Sequence, residues 1–79
     1  MARGPNVLVV DDDPTLRQTM EAIVKSAGMN SLTAASGEEG LEIVKRSPVD
    51  VMLLDVQLPG MSGLQVLRLV RERHPDIGV

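Results

Sequence analysis

Two apolar runs in this chain end abruptly in carboxylate. Val7-Leu8-Val9-Val10 leads into Asp11-Asp12-Asp13, and Val51-Met52-Leu53-Leu54 leads into Asp55. Continuous β-branched and aliphatic runs of this kind read as strands buried on both faces of a parallel sheet. Acids at the C-terminal ends of such strands stand where open α/β sheets place their ligand crevices. If the two runs are neighbouring strands, Asp11, Asp12 and Asp55 converge, and three crowded carboxylates require a cation or a proton. The chain has no cysteine, so a thiolate metal site is excluded. Oxygen donors alone suit Mg²⁺, which is commonly held by one or two carboxylates together with waters and phosphate oxygens. Asp55 then reads as a nucleophile that forms an aspartyl phosphate, with the metal shielding the approach of the anionic phosphoryl group. A plainer reading stands beside this one: Asp11 and Asp12 as loop acids, Asp13 as a helix cap before Pro14, and Asp55 as a strand-ending turn acid.

The elements that must position these acids alternate along the chain. Asn6–Val10 is the first strand. Asp13-Pro14 opens a helix whose apolar positions Leu16, Met20, Ile23, Val24 and Ala27 form one stripe, and Gly28 closes it. A weaker strand covers 30–35. Ser36 and Glu39 have the spacing of a capping box for a second helix carrying Leu41, Ile43 and Val44, which Ser47-Pro48 stops. The third strand spans 50–54. After a loop containing Pro59, Gly60 and Gly63, Ser62 and Gln65 cap a third helix with Leu64, Leu67 and Val70 expected on its inner face, and His74-Pro75 ends it. Ile77-Gly78-Val79 opens a fourth strand. A βαβαβα order with short connections implies a parallel sheet with right-handed crossovers. A 2-1-3 strand order brings Asp11 and Asp12 beside Asp55, since neighbouring strands lie about 4.8 Å apart; periodicity alone does not fix that order.

Composition narrows the function classes. The 79 residues make one small domain, 43% hydrophobic with no aromatic residue. The core must therefore be Val, Leu, Ile, Met and Ala, and the stacking platforms of a single-strand nucleic-acid binder are lacking. A net charge of -3 also argues against a direct nucleic-acid surface within these residues. No apolar run approaches the roughly 20 residues of a membrane span, and Met1-Ala2-Arg3-Gly4-Pro5 lacks the apolar core of a signal peptide. A cytoplasmic protein with no membrane partner is the expectation. Met20, Met29, Met52 and Met61 read as core or loop filler, His74 as a helix-end residue, and Arg68, Arg71 and Arg73 as a solvated helix face.

Three motifs carry a family resemblance: Val7-Leu8-Val9-Val10-Asp11-Asp12-Asp13-Pro14, Ser36-Gly37-Glu38-Glu39-Gly40-Leu41, and Leu53-Leu54-Asp55-Val56-Gln57-Leu58-Pro59-Gly60-Met61-Ser62-Gly63. The chain resembles the receiver domain of a two-component response regulator along nearly its whole length. The stretch from Met61 to Val79 is similar to receivers of NtrC-type transcription activators. The resemblance implies a flavodoxin-like α/β fold, of which these residues are expected to be a truncated βαβαβα fragment, and a role in signal transduction to transcription rather than enzymatic turnover. It implies Asp55 as the phospho-acceptor for a sensor histidine kinase. It further implies Asp11 and Asp12 as the acidic pair for Mg²⁺, the Gln57 backbone carbonyl as a further metal ligand, and Pro59 and Gly63 as shapers of the loop between. Receivers also use a Ser or Thr after strand four and a Lys after strand five. Neither is expected among these residues, and Lys25 and Lys45 in the first two helices do not replace them, so phosphorylation of this fragment is expected to be impaired.

Two further functions are open on the sequence. Asp11-Asp12-Asp13-Pro14-Thr15 also fits the D-x-D-x-T pattern of haloacid-dehalogenase-type phosphatases, which would make Asp11 the nucleophile and Asp13 the acid/base. Alternatively the chain is a half-fold whose uncovered third-strand edge and first-helix face drive homodimer or higher oligomer formation.

Overall fold

The computed structural model describes residues 4–55, 58 and 60–79. Strand β1 (Asn6–Val10) lies at the centre of a three-stranded sheet, with β2 (Asn30–Ala34) on one side and β3 (Val51–Leu54) on the other, all parallel. The 2-1-3 order that the chemistry required is the order observed. Helices α1 (Pro14–Ser26), α2 (Gly37–Arg46) and α3 (Gly63–Arg73) fill the connections.

Val7 to Val10 are all buried because β1 is covered on both faces. Leu8 and Val10 point to the thicker layer, where they meet Ala34, Ile43, Val44, Met52, Leu58, Val66 and Val70. Val7 and Val9 point the other way, toward Val24 and the half-buried Met20, Met29 and Leu53. This alternation is the period of two of a strand applied to a sheet with helices on both sides.

The two layers are unequal, and the first-helix stripe shows it. Of the five apolar positions expected to face the core, Val24 alone is buried; Leu16 and Ile23 are 52% and 55% exposed. α1 lies over β1 and β2, with Met20 half-buried against them, and leaves Leu16 and Ile23 uncovered by the described residues. The inner face of α3 is also corrected. Of its three expected positions, Val70 is buried and Leu67 half-buried, but Leu64 is 65% exposed, and Gly63 and Val66 are buried as well. The phase is set by a close approach of α3 to α2: a Cβ on Gly37 would lie 2.5 Å from the Val66 Cγ2. Val66 fills the space that the glycine leaves, and this turns Leu64 outward.

The helix ends follow the sequence signals, with one variation. The Asp13 carboxylate accepts from the Thr15 and Leu16 N–H groups, and Gly28 past the end of α1 has φ +82°, the left-handed conformation that glycine adopts without strain. Ser62 and Gln65 form a reciprocal capping box. At α2 the Glu39 N–H donates to Ser36, but the Glu39 carboxylate accepts from the Ala35 N–H rather than from that of Ser36. That bond takes Ala35 out of β2, which ends one residue earlier than expected.

At the N-terminal end of the sheet one side chain ties three segments together. The Asn6 Nδ2 donates to the Pro48 carbonyl at 3.0 Å, and its Oδ1 accepts from the Asn30 Nδ2 at 3.0 Å. The Asn6 N–H donates to the Asp50 carboxylate at 2.8 Å. The fourth strand signal is also realised in part. Gly78 pairs with Val51, donating to the Asp50 carbonyl and accepting from the Met52 N–H. The outer edge of β3 is therefore paired at its start and not wholly open. Among the described residues no helix is long and apolar enough to cross a membrane.

Candidate metal centre

The site is a consequence of register. Val10 is opposite Leu54 on one side and Ala34 on the other. The ladder runs one residue further on both sides: the Asp11 N–H donates to the Ala34 carbonyl at 3.1 Å, and the Asp55 N–H donates to the Val10 carbonyl at 3.1 Å. The acids that follow the two apolar runs are thus held by sheet hydrogen bonds although they lie past the strand ends. Asp12 is one residue further on.

Oxygens of Asp11, Asp12 and Asp55 lie within 4.8 Å of one another. Across an octahedral Mg²⁺ shell, opposite ligands stand about 4.2 Å apart. One ion can therefore be reached by all three acids directly or through a bound water, with small side-chain rotations. The donors are all hard oxygens, Asp11 and Asp55 are half-buried, and Asp12 is exposed toward solvent, an arrangement that leaves room for the waters Mg²⁺ retains. The residues present fit the ion. The Gln57 carbonyl expected to complete the shell, and the neighbouring Val56 and Pro59, lie outside the described residues.

Asp11 is held by its own turn and by the first helix. Its Oδ1 accepts from the Asp13 N–H at 3.0 Å, a local turn in which an aspartate bonds the backbone two residues on. Its own carbonyl accepts from Arg17 Nη1 at 2.9 Å. Sequence reasoning passed over Arg17. The signal that could have found it is its position as the fourth residue of α1, because helical side chains lean toward the N-terminus and cover the turn before their own. Asp13, by contrast, is used as the cap of α1 as its place before Pro14 suggested.

Lys25 pairs with Glu21 and Lys45 with Glu42, each at 3.7 Å along its own helix. Arg68, Arg71 and Arg73 are exposed on α3, and His74 ends that helix with its backbone N–H on the Val70 carbonyl. From Asp11 and Asp55 an apolar cleft of about 430 Å³ extends between α1 and β3, walled by Leu16, Met20, Leu53 and Leu54.

A family model described as the response regulator receiver domain matches residues 7–79. The NtrC transcriptional regulator of Escherichia coli is 40% identical over 79 residues, all of this chain and 17% of that protein. The cell cycle transcriptional regulator CtrA of Caulobacter vibrioides is 46% identical over 65 residues, 82% of this chain and 28% of that protein. Among solved structures, the response regulator TrrA of Thermotoga maritima, in complex with Mg²⁺ and BeF, superposes with a TM-score of 0.89 at 34% identity, covering 92% of this chain and 64% of that one. The chain thus spans less than a third of these two regulators.

If the three acids share one cation, removing one of their charges should stabilise the metal-free protein. Asp12→Asn is expected to raise metal-free stability by about 0.5–2 kcal/mol and to diminish the further stabilisation that Mg²⁺ gives the parent. Thermal unfolding with and without Mg²⁺ measures both; an Mg²⁺ effect equal in variant and parent would contradict the assignment of Asp12.

Proposed function

The chain belongs to the response regulator receiver family, and from that premise we propose that residues 1–79 carry the phospho-acceptor site of a two-component system, with Asp55 receiving a phosphoryl group from a sensor histidine kinase. The observation that carries this reading is the convergence of Asp11, Asp12 and Asp55 at the carboxyl ends of β1 and β3. An Asp55 carboxylate oxygen forms the new bond to phosphorus while the bond from phosphorus to the donor nitrogen breaks, which yields an acyl phosphate and leaves the donor imidazole free. Asp11 and Asp12, with Asp55, hold Mg²⁺, whose charge offsets that of the incoming phosphoryl oxygens. The hydroxyl and ammonium that the receiver resemblance implies are not among these residues. As a free polypeptide of 79 residues the chain is therefore proposed to bind Mg²⁺ weakly and to accept phosphoryl groups slowly.

Labelling by a small acyl phosphate such as acetyl phosphate, with the modified residue located by mass spectrometry, tests the acceptor. The expected result is Mg²⁺-dependent addition of one phosphoryl group that Asp55→Asn abolishes. Labelling that persists in Asp55→Asn and is lost in Asp11→Asn would instead favour the phosphatase-like use of Asp11.

A second reading rests on the uncovered face. Leu16, which lines the apolar cleft, and Ile23 are more than half exposed, and among the described residues β3 is paired on its outer side at its start alone. As a free 79-residue polypeptide the chain is proposed to self-associate through α1 and β3, burying that surface against a second copy. Light scattering during gel filtration should give a dimer or larger species at micromolar concentration, moved toward monomer by Leu16→Glu; a folded monomer of the parent chain would refute it.

A further inference from the structure

The acid pocket has a support that none of its three acids supplies. Asp11 leaves the sheet immediately after its N–H bonds the Ala34 carbonyl, so its own carbonyl is the first on β1 to lie beyond the strand. Arg17 donates to that carbonyl from α1, at 2.9 Å and partly buried. With the Asp13 N–H on Asp11 Oδ1, residue 11 is held at three points: N–H, carbonyl and one carboxylate oxygen. Fixing the carbonyl fixes the peptide plane between Asp11 and Asp12, and so the direction in which both side chains leave the backbone. The backbone N–H of Arg17 meanwhile donates to the Asp13 carbonyl at 2.9 Å, the first turn of α1. One residue thus closes the helix start and braces the turn that carries the acidic pair.

We propose that Arg17 is a positioning residue for the metal pocket: its guanidinium holds the β1–α1 turn through the Asp11 carbonyl and so pre-aims Asp11 and Asp12 at a divalent cation. This inference rests on the metal reading given above and adds a residue that contacts none of the reacting atoms. Outer partners that orient metal ligands commonly govern affinity by about 10- to 100-fold. Charge and orientation act here in opposite directions. As a bare cation near an acidic cluster, Arg17 competes with Mg²⁺, so its removal should tighten metal binding. As a brace, it favours Mg²⁺, so its removal should weaken binding. The sign of the change separates the two roles.

The experiment uses the whole 79-residue chain, with Mg²⁺ affinity from calorimetric titration and amide hydrogen exchange from NMR in metal-free buffer. Arg17→Met keeps the aliphatic bulk and removes the donor. It is expected to weaken Mg²⁺ binding about tenfold and to speed exchange of the Asp13 amide, whose bond to Asp11 Oδ1 depends on the turn. Arg17→Lys keeps the charge and one donor, and should recover part of both effects. Tighter or unchanged Mg²⁺ binding in Arg17→Met would overturn the proposal, as would an Asp13 amide that exchanges at the parent rate. If Arg17→Met does not fold, Arg17→Lys and Arg17→Gln decide the matter by the same two readouts, with Gln, which lacks the charge and the reach, expected to bind Mg²⁺ more weakly than Lys. If the parent binds no Mg²⁺, the metal reading fails, while Asp13 exchange still reports whether Arg17 braces the turn.

Discussion

The in-register parallel pairing of β1 with β3 governs the acid pocket. Val10 opposite Leu54 makes the next residue on each strand an aspartate, and the bond from the Asp55 N–H to the Val10 carbonyl carries the ladder across that boundary. A parallel sheet aligns the C-terminal ends of its strands on one side, so a cluster contributed by residues far apart in sequence needs only that both apolar runs end in acid. A slip of one residue would turn the buried set of β3 to the opposite face. The same register therefore secures Met52 in the core and Asp55 in the site.

The sheet is secured differently at its two ends. At the N-terminal end Asn6 joins the start of β2 and the segment before β3 by neutral and charge-assisted hydrogen bonds. At the C-terminal end three carboxylates crowd together, and the backbone around them is fixed by sheet bonds, by the cap of α1 and by Arg17. The backbone that carries Asp11 and Asp12 is thus fixed by the protein's own hydrogen bonds.

Much of this was legible in the residues. The strand runs, the caps Asp13, Ser36 and Ser62, and the αL glycine after α1 carry local signals that the fold honours. The convergence of Asp11, Asp12 and Asp55 followed once a 2-1-3 order was assumed. What pattern reading missed depends on neighbours rather than on period. Leu64 and Val66 are both apolar, and which of them is buried depends on packing against other elements, including the glycine at position 37 whose missing side chain leaves room for Val66. The stripe on α1 has the right spacing, but spacing does not say how much of a helix face a sheet will cover, and Leu16 and Ile23 stay largely exposed. Arg17 resembled any helix-surface arginine until the turn beneath it was seen.

The most direct test of the acid pocket is an Mg²⁺ titration of the 79-residue chain followed by backbone amide NMR. Binding at the proposed centre should move the signals of Asp11, Asp12, Asp13 and Asp55 together along one saturation curve and leave Asn6 and Asn30, at the far end of the sheet, unmoved. Signals that do not respond, or that respond around other acids such as Glu38 and Glu42, would show that the three aspartates do not form a cation site.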